Sequence, residues 1–242
     1  MATHSEVKNM QDAGGRGSNP VWVYSLRIVI AWLAVSLLLF GGAGRLDWPM
    51  GWVFSALWIV PKLAWIWLIL RRDPALAAER VADHANTQPW DRTILRIYGV
   101  FAFGSILVAG LDQRWGWSGE IPGALILAAL ILYVLANLLV GWITHVNTFF
   151  SSVARIQSDR GQVVIDVGPY AIVRHPTYAL SVLLWLTTPL ILESWWGMLP
   201  GALAALMMIL RTRLEDRMLR AELPGYAEYA QRVRYRLLPG VW

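Results

Sequence analysis

Six apolar stretches decide what this chain can fold into. A helix needs about 20 apolar residues to cross the hydrocarbon core of a bilayer, with roughly 17–25 tolerated. Only the second stretch carries a charged residue, and hydrophobic residues make up 57% of the whole chain, so a soluble fold could not cover its surface. The sequence therefore predicts an all-α, multi-pass membrane protein with about six spans, at residues 28–44, 48–70, 97–111, 121–144, 176–192 and 194–210.

The last two stretches are short and are separated only by Glu193. They contain Pro189 and Pro200, which disturb the hydrogen bonding of a helix. A tight hairpin that leans or dips into the bilayer fits this pattern as well as two upright spans do.

Basic residues mark one side of these spans. With both termini in the cytoplasm, 18 of the 21 Lys and Arg residues fall in cytoplasmic segments, whereas Arg45 and Arg114 fall outside and Lys62 lies within a span. This distribution follows the positive-inside rule and predicts that both termini are cytoplasmic. The net charge of +5 is then topological, with membrane lipids rather than nucleic acid as the expected partner.

Several classes of protein are disfavoured by what the chain lacks. It has no Cys, which excludes disulfides and thiolate metal ligands, and no metal site is expected.

Residues 1–20 are polar and Gly-rich and indicate a disordered N-terminal tail. No internal repeat is visible, so the inverted-repeat architecture of many transporters gains no support.

Polar residues at membrane depth are the usual indicators of function. Lys62, directly after Pro61, is more readily explained as a snorkelling side chain that satisfies a backbone carbonyl than as a site residue. His145 and Asn147 close the fourth span at the cytoplasmic face, where interfacial polar residues are common. A structural role and a place at the mouth of a site both stay open for this pair.

The segment 168–178, GPYAIVRHPTY, leads into the fifth span. Its prolines and glycine fix a loop, and Pro176 suits the first position of a helix. A helix N-terminus can receive a carboxylate or phosphate, and Arg174 and His175 would add donors beside it. A basic cytoplasmic loop with no ligand is equally compatible with this segment.

The sixth stretch continues into a charged, amphipathic helix. Leu210, Leu214 and Met218 form an apolar stripe, whereas Arg211 and Glu215 share another face at i, i+4 spacing. An ordinary helix pair of this kind contributes only ~0.3–0.5 kcal/mol. If the hairpin closes, however, Arg211 and Glu215 come beside the Arg174–His175 loop and form a polar cluster at one cytoplasmic rim.

These residues resemble the signature of the isoprenylcysteine carboxyl methyltransferase family and the related phospholipid methyltransferases, in its bacterial branch. The resemblance covers roughly residues 147–242. It rests on an ordered set of segments: RIQ at 155–157, RG at 160–161, GPY at 168–170, RHP at 174–176 with Tyr178, the acidic pair at 215–216, Gly225, Tyr226 and Tyr229, and YRLLP at 235–239.

The resemblance implies a SAM-dependent methyltransferase, that is, one using S-adenosylmethionine (SAM), in a bacterial inner membrane. Its acceptor would be lipid-like or a small hydrophobic molecule. The chain would then divide into the tail 1–20, a four-span region 21–146 and a SAM-binding catalytic region 147–242. Carried over by position, the cofactor-binding residues would be Tyr170, Val173, His175, Pro176, Glu215, Asp216, Arg236, Leu237 and Pro239, and the catalytic residues Arg211, Glu215 and Arg174.

Two positions depart from the family's pattern. The usual pair of glutamates becomes Glu215-Asp216, which puts a direct contact between Asp216 and SAM in doubt. Ala179 and Leu180 replace a glycine that often follows the motif tyrosine, and their bulk would narrow a helix contact or the acceptor path.

The acceptor decides the residue roles. A carboxylate is already ionised and needs only an orienting guanidinium, for which Arg211 or Arg174 is suited. An amine must first lose a proton, for which Glu215 or His175 could act as the base, and a thiol needs similar help. The Arg-rich rim favours an anionic acceptor or head group.

The competing class is a non-enzymatic membrane protein, such as a small transporter or assembly protein. Such a protein would carry polar residues along several spans. Here the spans are apolar apart from Lys62 and a few Ser, Thr and Asn, and the polar cluster lies at one end.

Overall fold

A computed structural model describes residues 20–72 and 86–242 of the chain. Within these ranges the secondary structure is helical, with no strand. The α-helices are α1 (Pro20–Ala43), α2 (Pro49–Arg72), α3 (Pro89–Trp115), α4 (Gly123–Val146), α5 (Pro176–Ile191), α6 (Met198–Glu222) and α7 (Tyr226–Arg232). Two 3₁₀ turns, Ser158–Arg160 and Gly168–Ala171, lie between α4 and α5. The predicted all-α class is confirmed.

Four of these helices, α1 to α4, are long and apolar enough to cross a membrane. The predicted third span is longer than its apolar run, because α3 begins at Pro89 and carries Arg92 and Arg96 on its first turns. The predicted tail 1–20 lies outside the described residues except for Pro20, where α1 begins.

The last hairpin is asymmetric. The 16 residues of α5 would span about 24 Å at 1.5 Å per residue, which is less than a hydrocarbon core of roughly 30 Å. Its partner α6 runs for 25 residues without a break, from an apolar half into the charged segment. Gly225, at φ 81°, then turns the chain into α7, as the Pro224-Gly225 pair predicts.

The helices pack in neighbouring pairs around one apolar core. Helix α1 lies against α2 and α3, α6 against α3 and α5, and α5 against α4. The core includes Leu39, Phe54, Ile106 and Ile191, all nearly or fully buried. Outside it, leucines such as Leu37 and Leu138 are exposed on the helix surfaces, where a bilayer would cover them.

Lys62 is accommodated locally. Its Nζ donates a 2.7 Å hydrogen bond to the carbonyl of Trp58, one turn back, and lies 3.8 Å from the centroid of the Trp58 ring. Pro61 lies within the same helix. The Lys62 ammonium therefore has a hydrogen-bond acceptor and an aromatic partner within α2, in agreement with a structural role for Lys62.

Candidate active site

A cavity opens at the end of the bundle where α4 ends and α5 begins. Its walls come from the segment 147–165, the loop before α5, the charged half of α6, and α7. Twelve of its 21 lining side chains are aromatic or aliphatic, and the other nine are polar or charged. They include Asn147, Phe149, Phe150, Arg155, Tyr170, Arg174, His175, Tyr178, Glu215, Leu219, Tyr226 and Tyr229.

The loop before α5, residues 168–175, is called the motif loop below. It is bonded to the C-terminal segment, residues 233–242, which follows α7. The backbone N–H groups of Arg174 and His175 donate to the carbonyls of Tyr235 and Arg236, at 3.0 and 2.9 Å. Pro176 then takes the first position of α5. These two N–H groups are therefore bound within the protein and are not available to a ligand.

Asp216 is the ionic centre of this region. Its buried carboxylate accepts hydrogen bonds from Nε and Nη2 of Arg174, at 2.6 and 3.1 Å, and from Nε of Arg220 and of Arg236. The hydroxyl of Tyr226 also donates to it, at 3.1 Å. With the remaining nitrogen, Nη1, Arg174 donates to the carbonyls of Val233 and Arg234. One acid thus ties the motif loop, α6 and the C-terminal segment together.

The charge of Asp216 follows from these partners. Burial by itself would raise the pKa of the Asp216 carboxyl, but hydrogen bonds from His175 and Arg174 outweigh it and hold that pKa far below its usual range. For Tyr226, burial and the neighbouring Asp216 charge both raise the pKa of its hydroxyl. Asp216 is therefore an ionised acceptor and Tyr226 a neutral donor.

Glu215, the neighbour of Asp216 in the chain, lines the cavity, whereas Asp216 does not. Its Oε2 accepts a 2.5 Å hydrogen bond from the hydroxyl of Tyr178. In the described part of the chain, the structure gives the carboxylate no ion pair. Adjacent acids therefore differ in role: the charge of Asp216 is used within the fold, whereas that of Glu215 stays beside the cavity.

Arg211 lies behind this wall. Its guanidinium is 5.1 Å from the centroid of the Tyr178 ring and donates from Nε and Nη2 to the carboxylate of Asp91, at 2.7 and 3.2 Å. Asp91 is fully buried on the first turn of α3 and also accepts from the N–H of Ala154. Arg211 donates further to the carbonyl of Ser152. The pair thus fixes segment 147–165 against α3 and α6.

Four tyrosines line the cavity and are bonded to its other residues: Tyr170, Tyr178, Tyr226 and Tyr229. The hydroxyl of Tyr170 accepts from Nδ2 of Asn147 at 3.0 Å, and the hydroxyl of Tyr229 donates to the Tyr170 carbonyl at 2.6 Å. The ring of His175 stacks on that of Tyr178, with centroids 5.7 Å apart and planes inclined by 8°. The Nε2 of His175 lies 3.2 Å from the hydroxyl of Tyr226.

Segment 147–165 covers one side of the cavity and is bonded internally. The side chain of Gln157, nearly fully buried, donates to the Phe149 carbonyl and accepts from Arg160. Arg155 pairs with Asp159 at 2.8 Å. These bonds give a largely irregular segment, with one 3₁₀ turn at Ser158–Arg160, a defined shape.

The residues predicted for the site fall into three groups, apart from Arg211, which does not line the cavity and is paired with Asp91. Tyr170, Arg174, His175 and Glu215 line the cavity. Val173 in the motif loop and Pro176 at the start of α5 are buried next to it, while Asp216 is buried among arginines. Arg236, Leu237 and Pro239 lie in the C-terminal segment and are not among the residues that form the cavity wall, with Arg236 bound to Asp216 instead.

Three contributors were not predicted as site residues. Asp91 gives little signal, since an acid on the first turn of a helix is an ordinary feature. Tyr178 and Tyr226 belong to the sequence pattern, but only the structure brings Tyr178 to Glu215 and Tyr226 to Asp216. Asn147, with an open role in the sequence, contacts Tyr170 on the cavity wall.

Comparison with known families places this site in context. Residues 124–223 match the phospholipid methyltransferase family. The match confirms the resemblance seen in the sequence, although it begins at the start of α4 and ends before α7. No curated protein matches the chain.

The family implies a membrane methyltransferase, and methyltransferases of this kind typically use S-adenosylmethionine. Four long apolar helices together with this match indicate an integral membrane protein. Among the residues that the structure describes, no group of three or more His, Asp or Glu side chains could hold a metal ion.

Proposed function

We propose that this protein is a SAM-dependent methyltransferase of the membrane that methylates a lipid-like acceptor at the end of its helical bundle. The observation that carries the proposal is the position of Glu215. Its carboxylate lies on the wall of a cavity with both aromatic and polar side chains, formed by segments that match the family together with α7.

The residues around the cavity suit S-adenosylmethionine. This molecule has a sulfonium cation, an ammonium group, ribose hydroxyls and an aromatic base. Cations are attracted to the faces of aromatic rings, and bases stack on them. Tyr170, Tyr178 and Tyr226 supply such rings, and Glu215 supplies an acceptor for an ammonium or a hydroxyl. On this basis we assign Tyr170, Tyr178, Tyr226 and Glu215 to cofactor binding. We add His175, whose ring lines the cavity and stacks on that of Tyr178.

Val173 and Pro176 would act through the shape of the motif loop. Asp216 would act by holding Arg174 and Arg236 in place, since its oxygens are already shared among three arginines and Tyr226. Arg236, Leu237 and Pro239 would support the loop from behind through the backbone bonds of the C-terminal segment.

When bound, the cofactor supplies a methyl group on a positively charged sulfur. The chain supplies alignment and exclusion of water. Segment 147–165 covers the cavity, and the Asp91–Arg211 pair fixes it in that position. Tyr178 orients the Glu215 carboxylate through its hydroxyl.

The charges around the cavity bear on the acceptor. Arg174 and Arg211, both suited by sequence to an anionic acceptor, are paired with Asp216 and Asp91, and Arg155 is paired with Asp159. Among the residues that the structure describes, the carboxylate of Glu215 on the cavity wall has no ion-pair partner. With both guanidiniums paired, this balance favours an amine over a carboxylate as the acceptor.

Two measurements test the proposal. The purified protein should bind S-adenosylhomocysteine by calorimetry at micromolar concentration, and Glu215→Gln should weaken that binding at least tenfold. Membranes that contain the protein, incubated with methyl-labelled SAM, should transfer label to an extractable lipid. Separation of the labelled lipids by head group then distinguishes an amine, a carboxylate and a thiol acceptor.

Glu222→Gln is the matched control, because Glu222 lies on the same helix but is exposed and away from the cavity. It should bind S-adenosylhomocysteine as the unmodified protein does. Unchanged binding by Glu215→Gln would remove Glu215 from the site, and a complete lack of binding by the unmodified, folded protein would overturn the proposed function.

A further inference from the structure

One exposed face of α6 changes from apolar to basic along its length. Leu206, Leu210, Arg213, Arg217 and Arg220 follow one another at spacings of three or four residues, and all five are exposed. At 1.5 Å per residue, Leu206 and Arg217 lie about 16 Å apart along the axis. The apolar half of this face would meet lipid chains, and the basic half would meet head groups.

The C-terminal segment turns this face into a groove. We call it the basic groove, lined by Leu206, Leu210, Arg213, Arg217, Arg236 and Trp242. The guanidinium of Arg236 lies 4.9 Å from the centroid of the Trp242 ring, which orders the far wall. The groove lies outside the cavity lined by Glu215, with Arg174 and Asp216 between the two.

The basic groove has an excess of positive charge. Four arginines line its basic half against one carboxylate, that of Asp216. That carboxylate is already shared by Arg174, Arg220 and Arg236. Among the residues that the structure describes, Arg213 and Arg217 have no ion-pair partner. Their guanidiniums are therefore available to a phosphate, which they can bind with two parallel hydrogen bonds.

We propose that the basic groove binds an anionic phospholipid of the adjoining leaflet. Its phosphate would be held by Arg213 and Arg217, and one acyl chain would lie along Leu206 and Leu210. An occupant with both a phosphate and an acyl chain is favoured because the basic and apolar halves are continuous. This site is independent of the cofactor and of the methyl acceptor, so it does not rest on the proposed function.

The test measures lipid binding by native mass spectrometry and by thermal unfolding in a neutral detergent, without SAM. The probes are phosphatidylglycerol and, as the zwitterionic comparison, phosphatidylcholine. The protein should bind phosphatidylglycerol at least fivefold more tightly, and the preference should shrink in high salt. The double variant Arg213→Gln/Arg217→Gln should lose about tenfold in affinity for phosphatidylglycerol.

The matched control is Arg92→Gln/Arg96→Gln, which removes two exposed arginines at the same spacing from α3. It should change the affinity less than twofold. An equal loss in both double variants would indicate general attraction to negative surfaces and overturn the proposal. Equal binding of the two lipids by the unmodified protein would also overturn the proposal, and this measurement does not depend on the folding of any variant. Displacement of phosphatidylglycerol by millimolar glycerol phosphate would overturn it as well. S-adenosylhomocysteine binding, measured separately, reports on the cavity alone.

Discussion

Asp91 and Arg211 form an ion pair in which both side chains are nearly or fully buried, 2.7 Å from oxygen to nitrogen, although 120 residues separate them in the chain. The pair joins the start of α3 to α6 at the level of the cavity. Through Ser152 and Ala154 it also holds segment 147–165. The guanidinium of Arg211, which the sequence suggested as a partner for an anionic acceptor, is therefore bound to Asp91 within the fold. It stabilises the part of the cavity wall that contains Tyr178 and Glu215.

Asp91→Asn should strongly destabilise the protein. The substitution keeps the shape of the side chain but leaves the Arg211 charge buried without its partner, which costs about 3–5 kcal/mol. Asp47→Asn is the control, since Asp47 forms an exposed pair with Arg45 at 3.9 Å. Its loss should cost less than about 1 kcal/mol. Unfolding in detergent, followed by tryptophan fluorescence, measures both values.

The double variant Asp91→Asn/Arg211→Met tests whether the stability lost in Asp91→Asn comes from the unpaired Arg211 charge. It removes both charges, so it should recover a large part of the stability that Asp91→Asn loses. If the double variant is as unstable as the sum of the two single variants, the two side chains do not interact as the structure indicates.

Arg211→Ala should reduce turnover more than cofactor affinity. The guanidinium packs against the Tyr178 ring and does not line the cavity, so its removal loosens the wall without removing a direct contact. It also leaves Asp91 buried without its partner and so destabilises the protein, and both quantities are therefore compared at a temperature where the variant is folded. Turnover by label transfer and binding of S-adenosylhomocysteine by calorimetry give the two quantities. Equal losses in both would make Arg211 a cofactor ligand.

Substitutions of Asp216 and Glu215 should affect different properties of the protein: the first its stability, the second its affinity for the cofactor. Asp216→Asn leaves Arg174 without its buried partner, so the free energy of unfolding should fall by about 3–5 kcal/mol. Glu215→Gln should leave it within about 1 kcal/mol while it weakens cofactor binding. Chemical unfolding in detergent and calorimetry are the two measurements, and the reverse assignment of effects would contradict the roles given to these acids.

The same carboxyl predicts a dependence on pH. The pKa of Asp216 is lowered in the folded protein from an unfolded value of about 3.9, so its contribution is full above that value and is lost as the pH falls below it. The melting temperature of the unmodified protein should therefore fall more steeply below about pH 4 than that of Asp216→Asn. Parallel curves would show that Asp216 is not the group responsible.

The sequence predicts the helices well and the site less completely, for a physical reason. Spans arise from local composition, so α1 to α4 and the charged continuation of α6 could be placed from apolar runs and from Pro224-Gly225. The partners of a charged side chain depend on packing between distant segments. Glu215 and Asp216 look alike in the sequence, yet one faces the cavity and the other is surrounded by arginines.

Asp91 shows the same limit. On the first turn of α3 it resembles an ordinary residue at a helix start, and its role becomes visible only when α6 brings Arg211 to it. Arg236, predicted to contact the cofactor, lies between Asp216 and Trp242, and the sequence gives no sign of either contact. The motif thus indicated which segments meet, but not which atoms of each segment face the cavity.

A close helix contact gives a further prediction. A Cβ added to Gly110 on α3 would overlap the backbone oxygen of Leu39 on α1, whereas one added to Gly99 on the same helix would meet no atom within 4 Å. Alanine is otherwise favoured over glycine within a helix by roughly 0.5–1 kcal/mol. Gly110→Ala should therefore lower the melting temperature in detergent, and Gly99→Ala should leave it unchanged or raise it. Similar effects at both positions would show that α1 and α3 do not approach as closely as described.

The orientation of the chain in the membrane can be tested directly, because the natural sequence has no Cys and single cysteines can be introduced without background. Glu228→Cys, exposed on α7, should react with a membrane-impermeant maleimide only after the cells are opened, since the basic residues predict a cytoplasmic C-terminal region. Glu120→Cys, exposed between α3 and α4, should react with the same reagent while the membrane that holds the protein is still intact. The opposite pattern would place the cavity on the far side of the membrane from cytosolic S-adenosylmethionine and would exclude the proposed reaction in the cell.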